Sequence, residues 1–150
     1  MIKLDAATVL LQWATGGLFF LWFTTRSHEI GRGYGWLIRG SYAAIAAGAV
    51  ASAYAIGWVP VRDVSSAAVA VISLGTIRRK DVRWDIVAPL VGLVGVVVGA
   101  LDAATGTADT VVSLLRVVVG MFFLGAVSDA MLLGHWYLVQ PGLPRRILNE

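Results

Sequence analysis

One stretch constrains this chain more than any other: Asp109 to Val139, DTVVSLLRVVVGMFFLGAVSDAMLLGHWYLV, in which no proline interrupts a helix. At the α-helical rise it is roughly 46 Å long. The hydrocarbon core of a bilayer is only ~30 Å thick, so this helix can cross a membrane and project beyond it. It carries three residues that a plain anchor does without, Arg116, Asp129 and His135. The rest of the chain reads as packing and orientation around it.

The composition agrees. Of 150 residues, 58% are hydrophobic and 14% charged, whereas a soluble domain has about a quarter charged. The charges cluster between long apolar runs, the pattern of a polytopic membrane protein. The length suits one transmembrane helical domain over residues 1–150 and no soluble domain. The net charge of +3 comes from short loops, where bases orient the chain and meet anionic headgroups; it does not imply nucleic-acid binding. With no cysteine, a disulfide scaffold, a thiol redox centre, a Cys-ligated iron–sulfur cluster and covalent haem are excluded. The first apolar run exceeds a signal-peptide core and lacks a small-x-small end, so it reads as retained.

Five helices are predicted, at about 6–25, 35–58, 60–77, 84–104 and 109–139, forming an all-α bundle. Gly16 and Gly17 allow a neighbour close to the first. The centre of the second, SYAAIAAGAVASAYA, suits close helix contact better than lipid. Pro60, Arg62 and Asp63 read as the turn into the third. That segment is short and crosses only if its proline turn is counted or the bilayer thins; re-entrance is the competing reading. Gly92, Gly95, Gly99 and Asp102 make one narrow stripe on the fourth, which belongs in the interior or at a subunit contact. Pro141 and Pro144 end the fifth.

Lys and Arg orient the bundle. With five crossings, nine fall on one side (Arg26, Arg32, Arg39, Arg78, Arg79, Lys80, Arg83, Arg145, Arg146) and two on the other (Lys3, Arg62). The N-terminus is therefore expected outside and the C-terminus in the cytoplasm, in the inner membrane of a bacterial cell. Trp36, Trp84, Trp136 and Tyr137 then form an inner aromatic belt, with Trp58 on the outer side.

A charge deep in a bilayer costs on the order of 2.5–3.5 kcal/mol on insertion scales, so Arg116 and Asp129 should face the bundle interior or water. Thirteen residues apart, they fall on different helix faces and do not pair. Asp102 is the expected partner of Arg116, and an arginine of an inner loop that of Asp129, which shares a face with Phe122, Gly125 and Trp136. A proton or ion relay is one reading of these charges. Interhelical pairing is the simpler one, because one acid and one base on opposite faces make a poor pathway.

The only two histidines, His28 and His135, fall at the same membrane face. Two imidazoles from different helices at one depth suit the axial ligation of a b-type haem. A metal ion would also accept them, with Glu29 as a third ligand. Arg26, Arg32 and Arg39 stand near enough in sequence to meet haem propionates. Interfacial histidine beside Trp and Tyr is also ordinary, so the sequence names no cofactor outright.

Gly17-Leu18-Phe19-Phe20-Leu21 matches Gly120-Met121-Phe122-Phe123-Leu124. If this is a repeat, four helices form its unit and the fifth begins a second copy whose partners come from another chain. Chance similarity of apolar helices is the simpler account. No HExxH, GxSxG or Walker loop occurs, and no catalytic residue is expected.

These features lead to a non-catalytic integral membrane subunit of a larger assembly, respiratory or photosynthetic if the haem site exists. Its partners are membrane lipid and other subunits or a second copy. Two alternatives stand beside it: a small transporter or channel using Arg116 and Asp129, and a structural protein that self-associates through the glycine stripe.

Overall fold

Helix α1 (Ala6–Thr25) starts where Asp5, in extended backbone, accepts a hydrogen bond from the Thr8 amide at 2.7 Å. This is the N-cap arrangement that satisfies one of the orphan amides of a helix start. The computed structural model describes residues 5–26, 32–79 and 82–139, and every regular element among them is helical. After α1 come α2 (Arg32–Ile56), α3 (Pro60–Thr76), a 3-10 turn (Val82–Ile86), α4 (Val87–Asp102) and α5 (Thr107–Val139).

The elements match the predicted ones closely, and the differences have local causes. Pro60, Arg62 and Asp63 are the first turn of α3, not a turn before it. Proline suits the first helical position because its missing N–H would be unpaired there anyway. Asp63 reaches back to accept the Val59 amide at 2.7 Å. Gly57 turns the chain between α2 and α3 at φ +146°, a region that a side chain would strain. Pro89 is tolerated in the first turn of α4.

Helices α1 to α4 close into a ring: each packs on the next, and α4 returns to α1. Helix α5 packs on α1 from outside this ring and meets α4 over a shorter stretch. The central helix is therefore α1, which corrects the expectation that the fifth organises the chain. Across its apolar span 56% of α1 is buried, against 22% of α5. The reason lies in side-chain size. Ala7, Thr8, Ala14, Thr15, Gly16 and Gly17 on α1 admit neighbours on several sides. Helix α5 buries one stripe of residues four apart, Ser113, Val117, Met121, Gly125, Asp129 and Leu133.

The glycines of α4 are used inside the chain. Gly92 faces Thr15, Gly95 faces Leu11 and Ser65, and Gly99 faces Thr8 and Arg62, each so closely that a Cβ would collide. The stripe seats α4 on α1 and α3, so it is not open to a second copy. Among the described residues three helical stretches are long and apolar enough to cross a membrane: α1, Trp84–Asp102 and α5. Helix α3 has only 17 residues, and α2 mixes its apolar residues with glycine, serine and arginine.

Candidate functional site

The buried stripe of α5 carries Asp129, 2% exposed. Three helices enclose it. On α1, Gly17 leaves room for the Tyr42 ring, which occupies the space a Cβ would take. That close approach brings the Tyr42 hydroxyl toward Ser128 and Asp129. Tyr34, two turns earlier on α2, donates to the Asp129 carbonyl oxygen at 3.4 Å. Its ring meets the Trp136 indole edge-on at 5.8 Å. The Trp13 indole donates to Ser128 Oγ at 2.7 Å, and Ser128 donates in turn to the Leu124 carbonyl at 2.6 Å. The Thr24 hydroxyl faces the same acid and bonds to the carbonyls of Phe20 and Leu21.

Within this network neither carboxylate oxygen of Asp129 has a hydrogen-bond partner among the described residues, and neither does the Tyr42 hydroxyl. Buried polar groups are nearly always bonded, and an ionised carboxylate without a partner is costly in an apolar interior. Among the described residues no arginine hydrogen-bonds to it. Arg39 instead forms a bidentate pair with Asp85, Nε to Oδ1 at 3.1 Å and Nη2 to Oδ2 at 2.6 Å, with both side chains buried. Arg39 is thus neither a free loop base nor a group available to a haem propionate.

Arg116 and Asp129 do lie on different faces, Arg116 exposed and Asp129 buried. Asp102 is also exposed, and no ion pair joins it to Arg116. The predicted partnership fails because Arg116 points away from the ring, among exposed Val112, Leu115 and Val119. Phe122 stands at the rim of the α1–α5 contact, stacked edge-on against Phe19 at 5.4 Å. His135 is exposed near the end of α5. His28, Glu29, Lys3 and the tail beyond residue 139 lie outside the described residues, and with them the expected pairing of His28 with His135. Among the described residues no three His, Cys, Asp or Glu side chains cluster as a metal site.

A second buried ionic group stands at the opposite end of the ring. Arg62, 1% exposed, binds Asp63 with Nε to Oδ1 at 2.6 Å and Nη2 to Oδ2 at 3.1 Å. It also pairs with Asp5 and donates to the Gly57 carbonyl at 2.9 Å. Burial pulls the Asp5 carboxyl upward, but the Thr8 bonds and the Arg62 guanidinium hold it below its usual value. Arg62 therefore ties the start of α1, the end of α2 and the start of α3 together. Its counting as a loop base is corrected. Adjacency in sequence signals the Arg62-Asp63 pair, whereas nothing local in the sequence points Arg39 to Asp85.

No protein-family model matches this sequence, and no curated protein or solved structure does either. Among the described residues the fold is all-helical, with five α-helices and three helical stretches long and apolar enough to cross a membrane.

Proposed function

We propose that this chain is an integral membrane protein with five crossings, N-terminus outside and C-terminus in the cytoplasm. It serves as a non-catalytic subunit of a larger membrane assembly. Packing supports counting α2 and α3 as crossings. Gly17 meets Tyr42, and Leu10, two turns earlier on α1, meets Gly48, so α2 runs along most of α1. Helix α3 packs from Arg62, beside Thr8 and Gly99, to its C-cap Ile77, beside Gly40. Helices packed along the height of a spanning helix share its depth. On α3, Ser66 and Thr76 bond to carbonyls of their own helix and Arg62 is paired, as an apolar surrounding requires, while the buried Ser73 hydroxyl has no partner among the described residues.

The observation that carries the subunit reading is the position of α5. It lies outside the ring and exposes Leu115, Val119, Phe123 and Met131, with Arg116 among them. It is not sealed against α4 either. A cleft of about 120 Å³ runs between them, floored by Thr15 and Phe19 and walled by Pro89, Leu93, Met121 and Phe122. An intramembrane charge normally faces protein or water, and a helix with one buried stripe has faces left for another helix. A photo-crosslinking residue at Val119 or Phe123, in native membranes, is expected to give one shared protein adduct. Val71 on α3, also exposed, is expected to give none. Lipid adducts alone at all three positions would remove the subunit reading. The cofactor part rests on His28 and His135, and a reduced-minus-oxidised spectrum that loses its Soret shift in His135→Ala would support it.

One observation favours a second reading. The Asp129 carboxylate, without a hydrogen-bond partner among the described residues, suits a site that takes up a proton or cation, as in a small transporter. Arg116 has no part in that reading, since it stands on the other face of α5.

A further inference from the structure

At the Arg39 end of the ring, a cleft of about 270 Å³ opens between the end of α3 and the start of α4. Its walls are Ile72, Gly75, Thr76 and Arg79 on one side and Trp84 and Val87 on the other. The polarity is graded. Arg79 and Trp84 are exposed at the mouth, with the guanidinium 5.2 Å over the indole ring. Ile72 and Val87 give aliphatic walls. Gly75 has nothing within 4 Å of where a Cβ would stand, which keeps the cleft wide, and Val71, one turn earlier, continues an exposed apolar surface.

We infer that this cleft binds an anionic phospholipid, with the headgroup phosphate on Arg79 and an acyl chain along the α3–α4 groove. Three features select this occupant. A stacked guanidinium presents planar donors that match phosphate oxygens in pairs. The segment around it, Arg78-Arg79-Lys80-Asp81-Val82-Arg83, has four bases and one acid, and basic segments beside spanning helices attract anionic lipid. Asp85 follows Trp84 directly but is neutralised by Arg39, so no free carboxylate of that pair repels a phosphate. A soluble anion would use the mouth and leave the apolar walls empty; an amphiphile uses both.

The inference rests on the membrane reading. Extraction of the protein from membranes by alkaline carbonate would defeat that reading separately. The test of the site is native mass spectrometry of the purified full chain in detergent, titrated with dioleoyl-phosphatidylglycerol or dioleoyl-phosphatidylcholine. The first phosphatidylglycerol is expected to bind about tenfold tighter than phosphatidylcholine, the scale of one charge-assisted pair. Arg79→Gln should remove that preference, and Trp84→Leu should reduce it. Arg78→Gln, a neighbouring charge that does not line the cleft, should have a smaller effect. Arg79 and Trp84 are exposed, so unchanged helicity is expected in these variants. Three outcomes would overturn the inference: a preference unchanged in Arg79→Gln, an equal loss in Arg78→Gln, or displacement of the lipid by millimolar inorganic phosphate.

Discussion

Gly16 of α1 and Gly125 of α5 meet backbone to backbone, so that a Cβ on either would overlap main-chain atoms of the other helix. The matching GLFFL and GMFFL stretches lie against each other around this point, with Phe19 and Phe20 both edge-on to Phe122. Main chain cannot step aside as a flexible side chain can. Gly125→Ala is therefore expected to cost about 1–3 kcal/mol, the usual penalty of overpacking. Gly75→Ala is the control, since its site is open and alanine favours helix. Thermal loss of helicity in detergent compares the two. Equal melting points would show that α1 and α5 are not held by this contact.

Arg39 and Asp85 are a closed pair, buried and bidentate. Removing one member leaves the other buried and uncompensated. Arg39→Leu is expected to lose about 3–5 kcal/mol. The double replacement Arg39→Leu/Asp85→Leu should recover most of that loss, because neither charge then remains. Unfolding in mixed micelles by added denaturing detergent measures both. A double variant no more stable than Arg39→Leu would mean that the arginine acts by packing rather than by charge.

Asp5 gives the acid dependence. Its carboxyl is held below the usual 3.8 in the folded chain. A group of this kind stabilises the fold fully above its unfolded pKa, and the contribution is lost as pH falls through the folded value. Asp5→Asn keeps an N-cap side chain but removes the charge that faces Arg62. The variant should be less stable than the parent at pH 7, and the gap should close below about pH 4. A gap of the same size at pH 3 and pH 7 would assign the effect to shape instead.

The helices were legible because their signals are local. Apolar runs, the proline at position 60 and the loop bases set five elements to within a few residues. The separate faces of Arg116 and Asp129 followed from helical period alone. Neighbour choice was not legible. Which helix becomes central depends on small residues such as Ala14 and Gly16 meeting partners from distant segments, and long apolar length made α5 the more conspicuous. Arg39 and Arg62 illustrate the same limit. As composition they are loop bases that orient a chain, and only the fold brings Asp85 within reach of one and Asp5 within reach of the other. Tyr34 and Tyr42 carry no signal in the sequence, because tyrosine at helical spacing in an apolar segment looks like core, and their relation to Asp129 needs two helices to meet.

Asp129 allows a sharper test than its neighbours, because stability and function should separate there. Among the described residues neither oxygen has a hydrogen-bond partner, although the Thr24 hydroxyl faces the carboxyl. Replacing an unpartnered buried polar group by one of similar shape and no charge is near neutral or stabilising. Asp129→Asn and Asp129→Leu are both expected to melt at or above the parent. If either melts several degrees lower, the carboxylate has a structural partner and the transporter reading loses its supporting observation. With stability intact, ion or proton flux in liposomes and the crosslinked complex at Phe123 then decide the role. Loss of flux in Asp129→Asn with an unchanged adduct would favour uptake at the carboxylate. Loss of the adduct without any flux in the parent would favour the subunit reading, with Asp129 setting how α5 is presented to its partner.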